Sequence, residues 1–120
     1  MPGVESRDFS APDETRAPAK TTVELVDIGG GQIGRYTFEP GWRWSECIKP
    51  VVGTDTCQVE HVGYAVSGRM HVEHSDGSQG DVKRGEVYRI APGHDAWVIG
   101  DEAAVFVEFQ GASNYAKPTQ

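Results

Sequence analysis

The run HVGYAVSGRMHVEHSDGS, residues 61–78, and the run VKRGEVYRIAPGHDAWVIGDE, residues 82–102, decide the fold. The first holds two β-rich segments broken at Ser67-Gly68, and the second of these ends in Asp76-Gly77, a strong turn signal. Val82 then opens a short strand before Arg84-Gly85, and EVYRIAP reads as a strand halted at Pro92-Gly93. Further out, AWVI and AAVFVEF flank Gly100-Asp101-Glu102, which reads as a hairpin turn. Upstream, Val23, Leu25 and Ile28 mark a strand that stops at Gly29-Gly30-Gly31. The next, IGRYTFE, alternates Ile33, Arg35 and Thr37 against Gly34, Tyr36 and Phe38 before Pro40-Gly41. Residues 42–56, with Trp42, Trp44, Pro50 and Gly53, read as a short strand followed by a loop. No segment has a helical period. Roughly eight or nine short strands with turns every 8–12 residues predict an all-β protein, an antiparallel sandwich or small barrel.

Bulk properties agree. A chain of 120 residues fits one domain, and 15 glycines with seven prolines favour turns over long helices. Residues 1–20 are polar and lack apolar periodicity, so they read as a mobile arm or one ordered against a neighbouring subunit; 21–112 form the barrel domain and 113–120 a polar tail. The net charge of −7 argues against nucleic acid and anionic membranes as partners. No apolar run is long enough to span a bilayer, and the N-terminus lacks the apolar stretch of a signal peptide, so the expectation is a cytoplasmic protein. There Cys47 and Cys57 would both be thiols.

Together the two opening runs resemble the paired motifs of the cupin superfamily. Gly68 stands where one cupin strand ends and the next begins, Gly85 opens the second motif, and Ala91-Pro92-Gly93 stands at its Pro-x-Gly turn. The resemblance covers residues 33–110 and implies a jelly-roll β-barrel, commonly a homodimer. It also implies positions for a metal site of three His and one Glu. Here the Glu position falls on His61, the first-motif His positions on Asp55 and Cys57, and the second-motif His on Ala96. None holds the expected residue, so the usual metal centre is not encoded.

A rebuilt site is open to the residues present. Asp55, Cys57, His61 and His94 are all competent ligands for one divalent metal, zinc, iron, nickel or manganese. Without a metal, Cys57 reads as a small buried hydrophobe and His61 as a hydrogen-bonded interior histidine. His61, Gly63 and Ala65 share one strand face, which the resemblance turns toward the barrel interior. With Ala96 they leave little side-chain volume there, and Trp42 and Trp44 border the space, so an interior ligand pocket is expected unless Trp42, Trp44, Phe38 or Met70 fills it.

His94-Asp95 offers a base with an orienting carboxylate, or a solvated turn; Arg43 between two tryptophans offers an anion contact, or a surface cation. GGGQIG precedes no helix and is a poor phosphate loop, and no nucleophile elbow surrounds Ser67. The functional expectation is a barrel that binds a small organic molecule, with His61 and His94 as acid/base or metal-linked catalytic residues. Isomerase, lyase, cyclase and dioxygenase chemistry are the candidates. The alternative is a binding or sensing protein without catalysis.

Overall fold

The structure, a computed structural model, describes residues 3–112 and 115–117. Among these, the expected turns divide the chain into nine strands: β1 (Glu14–Arg16), β2 (Thr21–Ile28), β3 (Gly31–Phe38), β4 (His61–Ser67), β5 (Arg69–His74), β6 (Gln79–Lys83), β7 (Val87–Ile90), β8 (His94–Val98) and β9 (Ala104–Gln110). They build a six-stranded sheet in the order β1-β2-β3-β9-β4-β7 and a three-stranded sheet in the order β6-β5-β8, antiparallel throughout. No ladder of hydrogen bonds joins the two sheets. Packing of inward side chains closes the barrel instead. Gly34, Tyr36 and Phe38 of β3, His61, Gly63 and Ala65 of β4, and Ala104, Phe106 and Glu108 of β9 are all buried. The period of two read along these strands is therefore the period of the core.

Three expectations change. The segment from Trp42 to Thr56 is not a strand and a loop. Arg43 makes one isolated bridge to Trp97, and then the chain coils into α1 (Trp44–Cys47) and α2 (Lys49–Val52). The Asp95 carboxylate accepts the Ser45 N–H at 3.1 Å, Pro50 sits in the first turn of α2 where no N–H is needed, and left-handed Gly53 ends that helix. Trp42 and Trp44 are both buried although only one residue separates them. Trp42 stacks on Phe38 at 4.0 Å and donates to Thr21 Oγ1 at 2.9 Å. Nor do residues 100–102 close a hairpin, because β8 lies in the small sheet and β9 in the large one; the turn carries the chain between sheets.

The third change concerns the ends. Within the expected arm, β1 pairs with β2 of the same chain, and the Arg7 guanidinium binds the Asp27 carbonyl and the Asp13 carboxylate, both at 2.8 Å. Within the expected tail, Tyr115 and Ala116 are buried; residues 113, 114 and 118–120 lie outside the described part. The Arg16 guanidinium donates to the Tyr115 carbonyl at 2.6 Å, so the two ends hold each other. Among the described residues, no helix is long and apolar enough to cross a membrane.

Gly68 has φ +77, and a Cβ there would lie 2.5 Å from Ala104 Cα; Gly100 has φ +86 but open space around it. Gly100→Ala should cost only the left-handed strain of about 1–3 kcal/mol, and Gly68→Ala clearly more. Equal urea midpoints for the two variants would refute the close approach at Gly68. At the arm, the Arg7 hydrogen bond and then the Asp27 N–H, 2.7 Å away, lower the Asp13 pKa below 3.8. A depressed carboxyl pKa stabilises the fold above the unfolded value and ceases to do so as pH falls through the folded one. Below pH 3.8 the Asp27 amide should lose hydrogen-exchange protection before the β2–β3 amides do; simultaneous loss would show that Asp13 does not hold the arm.

Candidate metal centre

Three segments bring the chemistry together. Cys57 lies in the loop before β4, His61 is the first residue of β4, and His94 is the first residue of β8. Cys57 and His94 form an antiparallel bridge, with the Cys57 N–H donating to the His94 carbonyl at 2.8 Å and the Gly93 N–H to the Cys57 carbonyl at 2.7 Å. His61 is held opposite Ile90 by the β4–β7 ladder. All three are buried, and one donor atom from each lies within 4.8 Å of the others.

The second nitrogen of each imidazole is already engaged. His61 Nδ1 donates to Glu108 Oε1 at 2.6 Å, which leaves Nε2 facing Cys57 Sγ at 3.5 Å. His94 Nδ1 donates to the Ala91 carbonyl at 2.7 Å. A carbonyl only accepts, so Nε2 of His94 is the nitrogen left to coordinate. The same carbonyl accepts from His74 Nε2 at 3.0 Å.

Glu108 is the residue on which this arrangement turns. It follows Ala104 and Phe106 on the inner face of β9, and its second oxygen accepts the Tyr88 hydroxyl at 2.6 Å. Gly63 permits that bond, since a Cβ there would lie 2.8 Å from Tyr88 Oη and 2.4 Å from the Val107 carbonyl. Burial by itself would lower the His61 pKa, but the Glu108 charge and the Cys57 thiol outweigh it and carry it up to about 10. Burial likewise raises the Cys57 thiol, yet hydrogen bonds from His61 and His94 bring it down to about 6. Each shift favours the charged form of its own group, thiolate for Cys57 and imidazolium for His61.

Beside the centre lies a cavity of about 20 Å³, lined by Tyr36, Phe38, Trp42, Trp44, His61, Met70, Ile90, His94, Ala96, Glu108 and Tyr115. That is room for about one water molecule. Trp42, Trp44 and Ala96 are among its lining residues, but the tryptophans, Phe38 and Met70 also fill most of the interior. Gly63 and Ala65 do not line it. Tyr88 occupies the space at Gly63, and Ala65 is paired with Phe106.

The structure does not bring Asp55 to the other three. Its side chain is fully exposed and forms an ion pair with Lys49 at 3.7 Å. Strand alternation would place residues 55 and 57 on one face, but this segment is a loop, turned by the Thr54 hydroxyl bonding to the Thr56 carbonyl. His94 is buried and is not part of a solvated turn. Asp95 does not orient it, because that carboxylate accepts the Ser45 and Ala96 N–H groups and pairs with Arg43 at 3.4 Å. Arg43 in turn lies 4.2 Å from the Trp97 ring centre. Glu108, Tyr88, Tyr36 and Tyr115 were missed at the site. The alternation Ala104, Phe106, Glu108 carried a signal for the first, an isolated carboxylate on an apolar face; Tyr115 carried none.

No family model and no curated protein matches the sequence. Solved structures match its shape. A Rhizobium leguminosarum bv. viciae protein of unknown function is 20% identical with a TM-score of 0.62, over 88% of this chain and 93% of that one. The oxalate decarboxylase of Lactobacillus farciminis, solved as a formate complex, is 14% identical with a TM-score of 0.58; the match spans 88% of this chain but 33% of the enzyme. A cupin-like protein of Thermotoga maritima is 17% identical with a TM-score of 0.50, over 73% of this chain and 65% of that one. At such identities the likeness is one of fold, and the fold is that of the cupins, an antiparallel all-β jelly-roll.

Proposed function

We propose that this protein is a metal-dependent cupin. It would hold one divalent cation, zinc before iron, nickel or manganese, on Cys57, His61 and His94, and act on a small organic molecule whose reactive end enters the adjoining cavity. The observation that carries this reading is the convergence of one sulfur and two imidazole nitrogens within 4.8 Å, with the far nitrogen of each imidazole tied to an oxygen. Metal-binding histidines are typically oriented in this way by a carboxylate or carbonyl behind them.

The donor set fits a cation on charge as well. A thiolate and the Glu108 carboxylate beside one imidazolium leave a buried excess of one negative charge, which is expensive in a protein interior. A divalent cation in place of the His61 proton brings the group to neutrality. Thiolate with two imidazoles suits zinc, and three protein ligands with a further position open is the pattern of catalytic zinc sites. Bound there, the cation supplies Lewis acidity. His61 and His94 then serve as ligands, Glu108 fixes the His61 tautomer, and Trp42, Trp44 and Phe38 keep bulk water out.

Elemental analysis of untagged protein purified without chelators should find close to one divalent metal per chain. Cys57→Ser and His61→Ala should lose it, and Asp55→Ala should keep it. A wild type that takes up no zinc, iron, nickel or manganese after equilibration ends the metal reading. Glu108→Gln should keep the donor set but weaken zinc binding by about 10–100-fold in chelator competition; an unchanged affinity would reduce Glu108 to a packing role.

A further inference from the structure

Tyr36 carries a polar atom that the fold leaves unused. The residue is 1% exposed, and among the described residues its hydroxyl is the one buried side-chain N or O atom without a hydrogen-bond partner. A phenylalanine would fill the same volume without a polar group to satisfy, so a hydroxyl kept dry in a core calls for a partner. Glu108 is near enough to act on that hydroxyl electrostatically, but not as a hydrogen-bond partner. Glu108 gives one oxygen to His61 and the other to Tyr88. Nor is the Tyr36 ring free to turn away, because it stacks on Tyr115 at 4.6 Å with 18° between planes and meets the His61 ring edge-on at 6.3 Å. Tyr36 also lines the cavity of about 20 Å³ that His61 and His94 border.

We infer that the Tyr36 hydroxyl is the hydrogen-bond donor for the ligand at the open position of the centre, and that this ligand is a compact anion ending in an oxygen or nitrogen lone pair. The inference rests on the metal reading above. The cation with one thiolate and two neutral imidazoles carries a single positive charge that Glu108 behind His61 balances, so an anion would be held by coordination to the cation itself and by the Tyr36 hydroxyl. The rest of the cavity wall is largely aromatic or aliphatic, and among its donors the Tyr36 hydroxyl is the one fully buried without a hydrogen-bond partner. The cavity admits little more than the bound end of such a ligand. Tyr36 is on this account a positioning and specificity residue, not a metal ligand.

The test uses full-length protein loaded with cobalt(II), azide as the probe anion and visible absorption as the readout, with cobalt affinity measured separately by chelator competition. Tyr36→Phe should leave cobalt affinity and the sulfur-to-cobalt charge-transfer band unchanged and weaken azide binding by about tenfold or more, the range for a hydrogen bond to a charged group. Ala96→Val, which narrows the cavity without touching a donor atom, should weaken azide as well while retaining cobalt. Equal azide affinity in wild type and Tyr36→Phe overturns the role of Tyr36, and a cobalt spectrum in wild type that azide never perturbs overturns the open position. A wild type that binds no cobalt overturns the metal reading itself, a distinct result.

Discussion

The pairing of His61 with Glu108 is the constraint around which the interior is arranged. Both are buried on neighbouring strands of the large sheet, where an unpaired charge would cost several kcal/mol. Their 2.6 Å contact, completed by the Tyr88 hydroxyl, satisfies three polar side chains at once. It also imposes conditions on residues that have no chemistry of their own. Position 63 has to be glycine so that Tyr88 can cross to Glu108, and β9 has to lie between β3 and β4 so that its inner face meets theirs.

From that pair the site extends across the gap between sheets. His61 and Glu108 belong to the six-stranded sheet, His94 to the three-stranded one, and Cys57 is bridged to His94 by backbone hydrogen bonds. No hydrogen-bonded ladder closes the barrel, so its two sheets are held by side-chain packing and by the contacts that meet at this centre. In the proposed metal-bound form, the cation would be a direct tie between them. Binding and barrel closure would then be one process, as is usual where a metal site spans separate elements. The aromatic wall of Phe38, Trp42, Tyr36 and Tyr115 has the complementary task of excluding water from charges that depend on a low dielectric for their strength.

Much of this was legible residue by residue. Alternation along residues 33–38 and 61–66 grouped Tyr36 with Phe38 and His61 with Gly63 and Ala65, because a strand has only two faces; it was the cupin resemblance that turned the His61 face inward, and both groups are buried. Glu108 could have been found by the same rule applied to residues 104–108. Where the rule failed, the segment was not a strand. Residues 42–56 keep both tryptophans inside by coiling after a single bridge, and Asp55 leaves the site because the chain around it is a loop. Turn chemistry was equally local: Ser67-Gly68 and Gly100-Asp101-Glu102 were recognisable as turns, although nothing in them says whether a turn pairs two strands or passes the chain to the other sheet.

By itself, then, the sequence determined the class of fold and most strand positions, because these follow from period and turn residues, which act over a few residues; side-chain type and the cupin resemblance offered Asp55, Cys57, His61 and His94 only as candidate ligands. Tertiary structure alone decided that Cys57, His61 and His94 share one point while Asp55 does not, that Glu108 stands behind His61, and that Tyr115 returns from the tail to stack on Tyr36. Those are contacts between residues up to 79 apart in the chain, Tyr36 to Tyr115. They are set by which strands become neighbours and by the need of each buried polar group for a partner, and neither is written in any local pattern.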